Sequence, residues 1–266
     1  MFIFVFVLIA GLCPSRSWAA EDPLVAGWKQ ATGFLFNESN TSFQAAKGKP
    51  GVDERERRLG EAVALLSVQP RSQDNLERVR SGLEGIAAES GTDTAGLIAR
   101  YLLGRYWEVQ VATPDLDKAK TIFWDLAKEG SGNPIAEFGA SKVALFELYR
   151  SPKDQLNAKA VELEAWEPLL TTSIGRREFH INLGMALFDL NGDPALVLKH
   201  LLAGDREGIT RAQTESTVWV LIGDLAEKLG DKQTAATYFR KFVDRYKRDN
   251  RRYTVQERLN RLEANP

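Results

Sequence analysis

The 266-residue chain is 44% hydrophobic and 27% charged, with a formal charge of −1. That balance excludes wholesale disorder and predicts no general affinity for nucleic acid. Its length fits one large domain or two small ones, and ten prolines among abundant Leu, Ala and Glu point to helices with punctuated ends.

Phe2 to Leu12 is an unbroken apolar run, followed by Cys13-Pro14-Ser15-Arg16 and then Ser17-Trp18-Ala19-Ala20. A short apolar core with small residues at Ser17 and Ala19 reads as a secretory signal peptide over residues 1–19, cut after Ala19. The run departs from the usual pattern in having no Lys or Arg before it. It also falls short of the roughly 20 apolar residues that a membrane span needs. Cys13 follows Leu12, where lipid-attachment sites have a small residue. Cys13 is the only cysteine, so the exported chain would hold no disulfide and no thiol ligand or nucleophile. That suits an oxidising compartment, and the expected location is periplasmic or secreted. Loss of Arg16 with the leader brings the charge from −1 to −2. Asn37-Glu38-Ser39 and Asn40-Thr41-Ser42 satisfy the glycosylation sequon, a tripeptide common by chance.

Residues 20–53, rich in Asn, Ser, Gly and Lys after a segment around Trp28, read as irregular or as an atypical first helix pair. Beyond them, helix-start signals recur at Ser72, Thr113-Pro114, Asn133-Pro134, Ser151-Pro152, Asp193-Pro194 and Asp231. Each offers a side chain to cap free N–H groups, and in the Pro pairs the ring occupies the first turn, where no N–H is needed. Gly130, Gly192 and Gly230 stand where helices should end. Apolar stripes at helical spacing lie between, among them Leu76, Val79, Leu83 and Ile86, then Val218, Leu221, Ile222 and Leu225. No alternating run is long enough for a strand. Residues 54–266 are therefore expected to be all-α, with each helix hiding its stripe against neighbours.

The last of these segments carry a pattern. Trp219-x-x-Ile222-Gly223-x-x-Ala226 is followed by Leu229-Gly230-Asp231 and Ala235-x-x-x-Phe239-x-x-Phe242. Gly223 and Ala226 are small enough for a second helix to lie close, Ala235 faces them, and Phe239 is expected to fill the space towards the neighbouring pair. Residues 216–249 resemble a tetratricopeptide repeat, although Lys247 stands near the position of the usual closing Pro. Equivalent first-helix glycines fall at Gly184, Gly139, Gly104 and Gly60, at separations of 39, 45, 35 and 44 residues against a nominal 34. Second helices would start near Asp115, Asp154 and Pro194, and Tyr253–Leu262 would cap the end.

The resemblance implies a right-handed α-solenoid of stacked antiparallel helix pairs that holds a protein or peptide in a concave groove without catalysis. Carried onto this sequence, the family's groove positions are Ile98, Tyr101, Arg105 and Glu108, then Glu178, Ile181, Met185 and Phe188, then Thr217, Val220, Asp224 and Glu227. A second surface is basic. Residues 240–261 carry Arg240, Lys241, Arg245, Lys247, Arg248, Arg251, Arg252, Arg258 and Arg261 against three acids, a net +6. It suits a solvated helix pair, or docking of an envelope-assembly subunit or an anionic membrane surface.

Catalytic signals are sparse. His180 and His200 stand twenty residues apart on different expected helices, without an HExxH pattern, and read as core-edge residues rather than ligands. No metal or other cofactor is expected. Glu89-Ser90 resembles only in that pair the catalytic Glu-Ser of lytic transglycosylases, cell-wall enzymes, and reads better as a helix end. Glu162, Glu164 and Glu167 spread over more than one helix face, which suits solvation.

Overall fold

The structure, a computed structural model, describes residues 22–69, 72–130 and 132–264. The leader expected over residues 1–19, with its apolar run and Cys13, lies outside them. The described residues are all-α, with no strand, and pack as neighbouring helix pairs in two compact units, Met1–Leu126 and Ala127–Pro266. The first holds α1 (Pro23–Thr32), α2 (Phe36–Ala46), α3 (Glu54–Ser67), α4 (Gln73–Glu89), α5 (Thr94–Arg105) and a π-helical turn, Tyr106–Gln110. Helix α6 (Leu116–Glu129) runs across the division. The second holds α7 (Pro134–Arg150), α8 (Leu156–Leu163), a 3-10 turn Glu164–Leu169, α9 (Ser173–Asp189), α10 (Pro194–Arg206), α11 (Ala212–Lys228), α12 (Lys232–Arg245) and α13 (Arg252–Ala264). The stretch 20–53 thus contains two helices.

Side-chain caps start most helices. Ser72, Asn133, Asp193 and Asp231 accept from the N–H of Asn75, Ile135, Ala195 and Thr234, satisfying donors that have no partner inside the helix. Of two neighbouring start signals, Asp115 rather than Thr113 caps α6, through the Lys118 N–H, and one expected start is displaced. Ser151 ends α7, and a 3-10 turn over Lys153–Gln155 intervenes before α8. One expected stop also shifts. Asn191 takes the left-handed conformation (φ +58°) that ends α9, and Gly192 follows it, its N–H bonding Leu187 O at 2.7 Å. Gly230 does adopt φ +83° after α11.

The pairs close on contacts between a glycine and a large side chain. A Cβ at Gly104 would stand 2.5 Å from the ring of Phe123, one at Gly184 2.9 Å from Leu201, and one at Gly223 2.5 Å from Cδ1 of Phe239. Only a bare Cα lets the partner helix come this near. Phe239 therefore lies directly on Gly223 of its own pair, while its ring also faces Arg258 of the following helix. Gly60 departs from the expected series: its near neighbour is Phe43 of the preceding helix α2, which also lies against Gly27.

In the second unit a buried carboxylate sets the start of α9. Glu137, 1% exposed, accepts from the backbone N–H groups of Thr171 and Thr172 at 2.8 and 3.1 Å and from both hydroxyls. The full set of donors offsets the desolvation of the charge. Gly175 leaves the room, since any Cβ there would collide with Glu137.

Gly223→Ala should destabilise the chain by about 1–3 kcal/mol through overpacking. Gly82→Ala, inside α4 with no atom within 4 Å of the new Cβ, should stabilise by about 0.5–1 kcal/mol. Urea unfolding of the two variants should give shifts of opposite sign. Glu137→Gln should cost about 1–3 kcal/mol in the same measurement, because the amide cannot accept all these donors.

Candidate functional site

The first-helix positions split into three kinds. Ile98 and Ile181 are core residues, 4% and 7% exposed; the Ile181 side chain fills the space beside Gly204. Neither presents a surface to a ligand, which corrects the groove assignment at those two positions. Tyr101 is half-buried against Phe123, with ring centroids 5.5 Å apart. Arg105 and Glu108 form an ion pair with side chains 13% and 11% exposed, and Glu108 lies in the π-helical turn rather than in α5.

On α9, Glu178 is paired with Arg177 at 3.1 Å, and burial raises its carboxyl above the ordinary carboxylate range against the pull of Arg177. Met185 is half-buried on the core and Phe188 is 45% exposed. On α11, Thr217 and Val220 are half-buried. Asp224 and Glu227 are both held by Arg258 of α13, at 2.5 Å for Glu227, and the guanidinium also covers the Phe239 ring at 4.6 Å. Burial raises the Asp224 carboxyl and Arg258 opposes that rise. Arg258 of the final helix thus engages the two acids while leaving them partly exposed, and Met185, Phe188, Thr217 and Val220 are the partly or fully exposed positions without an ion pair.

The basic end is mostly neutralised. Arg240 pairs with Glu263, Lys241 with Asp205, Arg245 with Glu215 and Arg251 with Asp249. Arg252 donates to Val243 O. Lys247 and Arg248, exposed in the turn after α12, have no ion-pair partner among the described residues. They line an open cleft of about 570 Å³ with Arg245, Tyr246, Ser216 and Gln213. The start of α11 lies in this cleft without a side-chain cap. Two of its lining residues are held by the buried Glu215, which accepts from Tyr246 Oη at 2.5 Å and pairs with Arg245 at 2.9 Å; burial and that carboxylate push the Tyr246 phenol up to about 12.

Three features escaped the sequence. Asp205 accepts from Trp219 Nε1 at 2.7 Å and Tyr238 Oη at 2.8 Å, tying α10 to α11 and α12. His180 and His200 meet across the α9–α10 hairpin, Nδ1 to Nδ1 at 3.1 Å. Glu164 and Glu167 each stand 3.4 Å from one of those rings, Glu164 largely buried and Glu167 still open to solvent. The signal for the histidine pair was their equal spacing about the turn near Leu190, which brings such residues level in an antiparallel hairpin. Glu89 is an exposed partner of Arg58 at 2.6 Å. Among the described residues no group of three or more His, Cys, Asp or Glu side chains is placed to hold a metal. No described helix is long and apolar enough to cross a membrane.

Arg258→Ala should cost about 0.5–1 kcal/mol at neutral pH, since the ion pairs are partly exposed. The loss should shrink in 1 M salt and vanish at a pH where Asp224 and Glu227 are protonated, as thermal unfolding at the three conditions can check. Comparison of the chain with known protein families and with curated proteins finds no match.

Proposed function

We propose that the chain is an exported, non-catalytic scaffold of the tetratricopeptide kind, a right-handed solenoid that holds a protein or peptide segment on its first-helix face. The observation that carries the reading is the recurrence of glycine against a large side chain at Gly104–Phe123, Gly184–Leu201 and Gly223–Phe239, at the spacing from which the repeat was inferred. The accessible residues Met185, Phe188, Thr217 and Val220 mix apolar and polar side chains. Such a surface suits an extended segment or a partner helix with an apolar edge. Export rests on the N-terminal apolar run and its small-residue cleavage pattern.

A second reading has the chain dock in an envelope assembly through its basic end. It is favoured by Lys247 and Arg248, which stand unpaired beside the uncapped start of α11. Phe188→Asp with Val220→Asp should abolish capture of a partner from the native envelope fraction while the circular dichroism of the chain is unchanged. Lys247→Glu with Arg248→Glu should leave that capture intact. The reverse pattern would replace the first reading with the second.

A further inference from the structure

The buried histidine pair is built for a proton that it does not hold at rest. His180 lies on α9 and His200 on α10, and His200 is completely buried. Their Nδ1 atoms are 3.1 Å apart and their ring centroids 5.4 Å. The second distance is the first plus the two ring radii, so the Nδ1 axes point at one another along one line. This is the geometry of an N–H···N hydrogen bond. A metal would need lone pairs that converge on a point about 2.0–2.1 Å from each nitrogen. The outer nitrogens each face a carboxylate of the turn Glu164–Leu169. His180 Nε2 is 3.4 Å from Glu167 Oε1, and His200 Nε2 is 3.4 Å from Glu164 Oε1.

The chain of four groups has three links, and two neutral imidazoles carry two ring protons. One proton makes the central N–H···N bond and the other serves one outer nitrogen. At the inner end, His200 Nε2 and Glu164 Oε1 are both buried without a hydrogen-bond partner, and an unprotonated Nε2 there sets two acceptors face to face. The other oxygen of Glu164 accepts from Lys199 Nζ at 2.6 Å.

We propose that His180, His200, Glu164 and Glu167 form a proton-uptake site. One proton entering between His200 Nε2 and Glu164 Oε1 completes a carboxylate–imidazole–imidazole–carboxylate chain and draws the turn Glu164–Leu169 onto α9 and α10. A second proton would load both Nδ1 atoms and break the central bond.

The charged groups acting on the pair are Glu164 and Glu167 from the turn, Lys199 and Arg206 from α10, and Glu207 just beyond it. The carboxylates favour the proton; Lys199 and Arg206 oppose it. Burial outweighs the attraction, lowering His180 below the ordinary histidine value and His200 to about 4. The site is therefore empty at neutral pH and fills on acidification. Because the unfolded histidines bind protons near pH 6.5 and the folded ones only below it, the pair's contribution to stability is present above pH 6.5. It is lost as the pH falls towards about 4.

The turn carries its own reporter, since Trp166 sits between the two carboxylates and packs on the core. We would label the histidines of the full-length chain with ¹⁵N and follow the ring nitrogens by NMR from pH 8 to 4. Trp166 emission would be read in parallel, as the difference between the wild type and Trp166→Phe. The two rings should titrate as a coupled pair with the first step below pH 6.5, a new Nε2–H should appear on His200, and Trp166 should respond in the same window. In Glu164→Gln the amide can donate to His200 Nε2 without an added proton. Its midpoint should fall by about one pH unit or more, a tenfold loss of proton affinity, and the Trp166 response should disappear. Independent titration of the two rings near pH 6.5 would overturn the proposal, and that result needs no variant to fold. So would a Glu164→Gln chain whose histidines and Trp166 titrate as in the wild type.

Discussion

Close approach of paired helices at glycine is the constraint on which the rest of this chain depends. Where Gly223 meets Phe239 and Gly104 meets Phe123, the ring of the partner helix takes the place that a side chain would fill. The contact fixes both the separation and the register of the two helices, because the ring fits at one glycine and nowhere else along the face. Apolar stripes alone would leave each pair free to slide by a turn at little cost, since hydrophobic burial is not directional.

With the register set, polar groups carried on the paired helices meet in a determined way. Asp205 receives the indole of Trp219 and the phenol of Tyr238. Glu137 receives both threonines ahead of α9. Each is a carboxylate largely withdrawn from water whose desolvation is offset by several donors that come from outside its own helix. These bonds give the second unit the directionality that its core lacks. The same logic places the histidines. Ten residues to either side of Leu190, they stand level across the hairpin and lose most of their access to water together.

The surfaces follow from what the packing leaves over. Helix α13 brings Arg258 onto Asp224 and Glu227 and covers the apolar face of the last pair. The polar composition of that helix outside its contact with α12 is what a final helix requires, as one side faces solvent. At the basic end Arg240, Lys241, Arg245, Arg251 and Arg258 have found an acid, so a count of charges overstated the field of this surface, and the turn holding Lys247 and Arg248 keeps two adjacent cations without one.

Much of this was determined by the sequence alone. Cap residues, helix-ending glycines and 3.6-residue stripes are local, and they located most helices and the glycines at 104, 184 and 223 without knowledge of any partner. Local signals left the start of α6 open between Thr113 and Asp115 and misplaced the one near Ser151, where a turn over Lys153–Gln155 precedes the helix. They also gave no help with accessibility. Ile98 and Ile181 were expected at positions equivalent to Thr217 and Val220, which are half-buried, yet the tertiary structure buries both isoleucines, because what covers a helix face depends on the neighbour's side chains. The pairing of His180 with His200, the approach of Glu164 and Glu167 to them and the pairing of Asp224 and Glu227 with Arg258 were likewise decided only in three dimensions. Each joins groups from separate elements, and the free energy of such contacts depends on distance and burial, which no spacing along the chain encodes.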